Sequence, residues 1–450
     1  RRPHPTPAPG ATLRATGSGP TANVPVTGVG GSSTVTDNFG GDGVDTLTNI
    51  ELTEFSNTYA LNQRVLNLST FNGLVAGKQI LGTNNDNLGV GDNLTMGANA
   101  NGRFIDLVGG GTDTLTLAAA GAYNLNLANV EVIAGSGGDD SVTLQNAVAG
   151  MTVNLAGGSD TLNLANGGNT VTASGTEHIH GGFGFDTVTL SDATPVVVND
   201  IESVIASGDG NQVTIEADVG VTSVTASLDL GGGDDTVTLN FFGAGSAADL
   251  TLTGVEHLTS AGGVQTVNLS GDTSLTSVDL GFGFHVLNLA PGGYTMSVAN
   301  VFELYSFGTH SDTIDFDADP AVNQIVNLGF GNDVLNLTGV NTQLGMSIWG
   351  GIDGSMTVND ATAGRNLDLN LLNTQAGALF DLGDGNDTLH LYNDQDGFTS
   401  SVSVRNVETV FGSSNSDTIT IIGSSNETMV MGSWGADFIT AGSGVDNFGF

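Results

Sequence analysis

The chain has 450 residues, of which 8 are Lys or Arg and 47 are Asp or Glu, giving a formal net charge of −39 at pH 7. That charge disfavours nucleic acid and anionic membrane surfaces, which would be repelled. The absence of cysteine excludes disulfides and thiolate metal sites, and no apolar run reaches the roughly 18 residues of a membrane-spanning helix. A disordered polyanion is disfavoured by the 39% apolar content, which falls in strand-like alternation.

Residues 1–27 open Arg-Arg-Pro-His-Pro-Thr-Pro-Ala-Pro-Gly and hold too few apolar side chains for a core, so they read as an extended arm. Arg1, Arg2 and Arg14 sit in it and leave the body of the chain almost purely anionic. The start lacks a methionine and an apolar signal segment, so the expectation is a mature or trimmed chain; the arm, with no core of its own, is expected to dock on a neighbouring subunit, the alternative being a disordered linker to a trimmed domain. Residues 28–105 read as an N-terminal β module with loose repeats. It holds one full turn, Gly40-Gly41-Asp42-Gly43-Val44-Asp45, and a weaker one over Gly82-Thr83-Asn84-Asn85-Asp86.

From 106 to 411 a glycine-rich turn runs into an acidic residue and a short alternating strand at intervals of about 20–30 residues, a solenoid period. The turns comprise Gly109, Gly111 and Asp113; Asp140; Asp160; Gly182, Gly184 and Asp186; Gly231, Gly233 and Asp235; Asp312; Gly329, Gly331 and Asp333; and Gly383, Gly385 and Asp387. Gln212, Gln265 and His285 stand where Asp is expected, and Ser136, Ser159 and Ser414 or Ser416 intrude on glycine positions. The strands between read TVTL, TLNL or VLNL, which places Val, Leu and Ile inward and Thr or Asn outward. A second kind of turn carries an N-V-E-like step, as in Asn129-Val130-Glu131 and Asn406-Val407-Glu408. The recurring Glu51, Glu131, Glu177, Glu202, Glu256, Glu303 and Glu408 are expected to be structural. Residues 412–450 tighten to Asp417, Glu427, Asp437 and Asp446, with Gly435, Gly442 and Gly444, and read as a compact β-roll with acidic turns on both edges.

Glycine admits backbone conformations that a Cβ resists, so each turn folds tightly and aims carbonyl oxygens inward, where the Asp joins them. Stacking two such turns, about 4.8 Å apart, gathers carboxylates and carbonyls into an oxygen-only space that suits several Ca²⁺ ions. Without a counterion, neighbouring carboxylates repel by about 1 kcal/mol even in water, so folding and metal binding should be coupled.

The full turns, Gly40 to Asp45 and Gly181 to Asp186, follow the G-G-x-G-x-D-x-U-x nonapeptide, where U is a large apolar residue, and the chain resembles the RTX family of secreted calcium-binding repeat proteins. The resemblance implies an all-β, right-handed parallel β-solenoid or β-roll with calcium in its glycine-rich turns. It further implies type I secretion and a place outside the cell or on its surface, as in RTX-type surface-layer proteins and adhesins of Gram-negative bacteria. Coils that depart from the motif are expected to bind calcium weakly.

No G-x-S-x-G, H-E-x-x-H or cysteine nucleophile is present, so the expectation is not an enzyme. His178 and His180 form an H-x-H pair without a third ligand in view, and Asp315, Asp317 and Asp319 cluster before Pro320. Phe241, Phe242, Trp349 and Trp434 are aromatic residues available for sugar stacking or for packing. The favoured reading is a calcium-dependent extracellular structural protein that self-assembles into a surface layer or fibre. Its partners would be its own copies and cell-surface polysaccharide bridged by calcium, without nucleic acid or membrane insertion. The alternatives are a calcium-stabilised adhesin or biofilm-matrix protein binding glycan or a partner cell, marked by an exposed aromatic strip on one face, and a secreted carbohydrate-active enzyme, marked by a deep acidic cleft.

Overall fold

The structure is a computed structural model that gives strand pairings from Ala11 onward and describes side chains at Leu68, at 79–82 and over most of 91–449. Within the last span 99, 109, 219, 241–244, 262–265, 272–273, 318–323, 340–344, 350–354, 361, 373–376, 393–398 and 424–426 fall outside the description. The chain divides into two compact units, Arg1–Ser207 and Gly208–Phe450.

Both units are parallel β-solenoids, because the sequence alternates with the period of a strand and never with that of a helix. Each coil gives one strand to each of two sheets, and each strand pairs in parallel with its equivalent one coil on. In unit one the first sheet runs from Arg103–Asp106 through Asn124–Ala128, Ser141–Leu144, Thr161–Asn163 and His178–His180 to Val196–Asn199. The second sheet runs from Asn93–Met96 through Thr114–Leu117, Val132–Gly137, Ala149–Gly157 and Thr170–Ser174 to Thr187–Leu190 and Ser203–Ile205. Unit two repeats the plan from Gln212–Glu216 and Ser223–Asp229 to Phe438–Thr440 and Asp446–Gly449.

Exact register stacks like on like. Val142, Leu162 and Ile179 form one buried column, and Val358, Phe380 and Val404 another. The core is therefore a seam of mostly aliphatic side chains between the sheets, with Phe316 and Phe380 fully buried in it. A 3-10 turn at Ala98–Ala100 is the one regular element other than strand among the described residues. None of their helices is long and apolar enough to cross a membrane.

Two stretches depart from the expected layout. Val44–Thr48, which contains Asp45, pairs antiparallel with Ser32–Thr36, so this full motif runs into an antiparallel sheet instead of a parallel coil. Gly41, Gly43 and the side chain of Asp45 lie outside the described residues. The arm is also tied to its own chain, since Ala11–Arg14 pairs in parallel with Ile50–Glu54. Nothing in the pairing changes near residue 411, where Ser401–Arg405 continues into Thr418–Ile421.

Candidate functional site

Each coil turns twice, once at each edge of the two-sheet stack, and the acidic turn residues stand immediately ahead of a strand at one edge or the other. Gly331 illustrates the geometry. Its φ is 150°, a region closed to side chains, and a Cβ built on it would overlap the carbonyl oxygen of His310 one coil earlier. The turn thus presses onto its neighbour and seals Asp333 beneath it. Gly111, Gly184, Gly233 and Gly435 share this positive-φ position two residues ahead of Asp113, Asp186, Asp235 and Asp437, while Gly231, Gly329 and Gly383 take the left-handed position four residues ahead. At Gly385 close approach alone selects glycine, because a Cβ would strike the carbonyl of Arg365. Gly182 is likewise pressed against Ala165 and Asn166 of the neighbouring coil. Gly109 lies outside the described residues.

The turn aspartates join into ladders. In unit one the Tyr123 N–H donates to Asp140 (2.9 Å), the Asp140 N–H to Asp160 (2.7 Å) and the Asp160 N–H to Glu177 (2.7 Å). At the opposite edge Asp92 donates to Asp113 (2.5 Å) and Asp113 to Glu131 (2.8 Å), and higher up Asn169 donates to Asp186 (2.8 Å) and Asp186 to Glu202 (2.8 Å). Unit two repeats the rule: Asn211 to Asp235 to Glu256 (2.6 and 2.9 Å), Leu367 to Asp387 to Glu408 (2.7 and 2.8 Å), Tyr294 to Asp312 to Asp333 (2.8 and 2.9 Å), and Ser400 to Asp417 to Asp437 (3.2 and 3.0 Å). In these ladders the freed turn amides are met by carboxylates from the next coil, whereas the Asp333 amide donates to the Ser355 carbonyl and the Val148 amide to Asn169 Oδ1.

The N-V-E steps are where these ladders end. Asn129, Asp200 and Asn406 take left-handed φ of 52°, 52° and 53°. The next residue, Val130, Ile201 or Val407, plugs the core, and the following Glu accepts the last amide. The expectation of a structural role for Glu131, Glu177, Glu202, Glu256 and Glu408 matches this geometry.

Nine of these aspartates, from Asp113 to Asp417, are at most 2% exposed, and the second oxygens of seven of them fall into two groups. Asp186 receives the Gly182 N–H (3.2 Å), Asp312 the Ser306 hydroxyl (2.7 Å) and Asp417 the N–H (2.7 Å) and hydroxyl of Ser413. By contrast Oδ2 of Asp140, Asp160, Asp235 and Asp387 is buried with no partner, as is Oδ1 of Asp446, whose other oxygen takes the Gly442 N–H. A buried carboxylate oxygen with neither donor nor cation is costly, and burial pushes Asp160 and Asp333 up to about 6 and Asp387 up to about 7, with neighbouring acidic groups adding to the rise. Asp140, Asp235, Asp312 and Asp417 are raised too, first by burial.

The unpartnered oxygens are chemically suited to a hard cation that takes oxygen ligands. They are dispersed, however: no group of three or more His, Asp or Glu poised for a metal occurs among the described residues. Each site would draw one or two carboxylates from the ladder and the rest of its shell from turn carbonyls. Asp437 joins the Asp417 ladder, whereas Glu427 is exposed and accepts the Asn447 amide, and Gly444 is exposed near Asp446.

Some substituted coils fill the same place differently. His285 occupies the aspartate position, fully buried, with both ring nitrogens unpartnered and its pKa lowered by burial. Asn211, not Gln212, is the ladder residue of its coil, since its N–H is the one that donates to Asp235; Gln265 lies outside the described side chains. Sequence reading missed Arg365. Its buried guanidinium forks onto Asp360 at 2.6 and 2.9 Å and reaches the Thr338 carbonyl at 2.9 Å, placing a cation of the chain's own beside the Asp387 turn. Its place among only 8 Lys or Arg residues against 47 acidic ones was the available signal.

Other candidates stay apart. His178 and His180 face outward beside Thr161, Asn163, Val197 and Asn199, with no acidic residue across the rungs. Asp315 and Asp317 are exposed on the outer face of a strand, where Asp315 accepts the Asn336 amide at 2.7 Å. Comparison with family models, curated proteins and solved structures finds no match for this chain.

Proposed function

We propose that this chain is a calcium-dependent, self-assembling extracellular structural protein of the kind its RTX-like repeats suggest, forming a surface layer or fibre. The observation that carries this reading is the unpartnered buried oxygen on Asp140, Asp160, Asp235 and Asp387, inside a chain of net charge −39. Bound calcium would supply the positive charge those turns lack. Sites built from so few carboxylates belong to the weak end of the calcium range, which suits the high calcium outside cells.

The test combines calcium titration by calorimetry with circular dichroism and electron microscopy, with and without EGTA. The expected result is several calcium ions per chain, loss of most β signal on chelation, and polymers in calcium alone. Mg²⁺ should not replace it, since it demands a tighter octahedral shell. An unchanged β signal in excess EGTA overturns the reading.

A further inference from the structure

In unit two the outer face of the second sheet carries a feature that neither the core nor the ladders require. Successive registers place Asn288, Tyr305, Asn327, Trp349, Leu372 and Tyr392 in one column. The aromatic members recur at every second coil, so with rungs about 4.8 Å apart their spacing is about 9.6 Å. Phe307 stacks on Tyr305 (centroids 6.1 Å, planes 7° apart), and His390 stacks between Phe411 (4.7 Å, 6°) and Tyr392 (5.9 Å, 20°). Tyr392 remains 49% exposed. The corresponding columns of unit one carry mostly Thr, Ser, Asn and Ala, as in Asn154 beside Ser174 and Thr170 beside Thr187.

We propose that this strip binds a neutral, extended β-1,4-linked glycan laid along the coil-stacking direction, with Tyr305, Trp349 and Tyr392 each meeting one face of every second sugar. In such a chain successive sugars are flipped, so the same apolar C–H face recurs at a two-sugar repeat close to the two-coil spacing. Flat aromatic faces suit that C–H surface, and the Asn327 and Leu372 rungs fall opposite the alternate sugars, with Asn370 beside them to meet hydroxyls. Charge selects the occupant. Glu303 and Asp368 flank the strip and the whole chain carries −39, so a nucleic acid or an anionic polysaccharide would meet like charge, whereas an uncharged glycan does not. The proposal does not depend on self-assembly.

The experiment uses the full chain in calcium with Trp434→Phe, which leaves Trp349 as the single tryptophan of the two, and follows its fluorescence on titration with cellohexaose. Retardation in native gels containing hydroxyethylcellulose gives a second readout. A saturable change is expected, with no response to α-1,6-linked dextran. In gels, Trp349→Ala and Tyr392→Ala should each weaken retention at least tenfold with circular dichroism unchanged, while Trp349→Phe retains most of it and Trp434→Ala has no effect. The absence of binding by the unsubstituted chain, equal binding of dextran, or unaltered retention of both alanine variants overturns the proposal. So does loss of polymers with retention unchanged, which would make the strip a contact between copies.

Discussion

At the scale of the residue, a carboxylate sealed under a turn with one oxygen unmet must hold either a proton or a cation. Without metal the proton wins more often than an ordinary aspartate would allow, since burial lifts Asp160 to about 6 and Asp387 to about 7 from 3.8. A group whose folded pKa is raised stabilises the fold fully below its unfolded pKa and loses that contribution as pH rises through the folded value. Metal-free protein should therefore lose stability from about pH 4 to pH 7, a window set by those shifts, with self-repulsion of the anionic chain acting in the same direction. Asp387→Asn isolates the local part: it should flatten the fall between pH 5 and 7 when denaturation midpoints are measured in EDTA. In saturating calcium the trend should reverse, because a cation competes with protons for the same oxygens. Identical pH profiles with and without calcium would count against these carboxylates as ligands.

At the scale of the element, the ladder makes its terminal glutamate replaceable only by another acceptor. Glu256→Ala strands the buried Asp235 N–H and should cost about 1–3 kcal/mol, whereas Glu256→Gln, which keeps an acceptor, should cost less than half as much in chemical denaturation with calcium present. Turn glycines should separate just as sharply. Gly331→Ala combines a φ of 150° with overlap onto the His310 carbonyl and should cost about 3 kcal/mol or more, while Gly232→Ala, with open space where its Cβ would go, should be nearly neutral. Strands, solenoid period and the glycine–aspartate turns were legible because alternation and turn chemistry are local. What each turn touches was not. Asp113, Asp140, Asp160 and Asp186 look like one series, yet Asp140 and Asp160 stack at one edge and Asp113 and Asp186 at the other. The glutamate's partner lies 16 to 21 residues away in the preceding coil, and the sequence cannot mark that distance. Nor does motif quality mark which oxygens are met: in the full motif at Asp186 the second oxygen accepts from Gly182, while the degenerate turn at Asp160 leaves one unpartnered.

At the scale of the whole molecule, a solenoid gains stability from each coil's contact with the next, so damage should propagate to neighbours and no further. Asp140→Asn and Asp160→Asn share one ladder and should be non-additive by 0.5 kcal/mol or more, whereas Asp160→Asn and Asp417→Asn, in different units, should add. The same architecture separates two roles for calcium. If the ion merely screened a charge of −39, concentrated monovalent salt would replace it, since at 1 M the Debye length falls to about 3 Å. Screening of that kind reaches exposed carboxylates such as Asp315 and Asp368, but not oxygens sealed beneath a turn, which need a ligand in direct contact. In EDTA, 1 M NaCl should therefore recover only part of the β signal by circular dichroism and no polymers by electron microscopy, and millimolar calcium should restore both. Complete recovery in NaCl would reduce the buried ladders to structural hydrogen bonding and leave the ion no specific site.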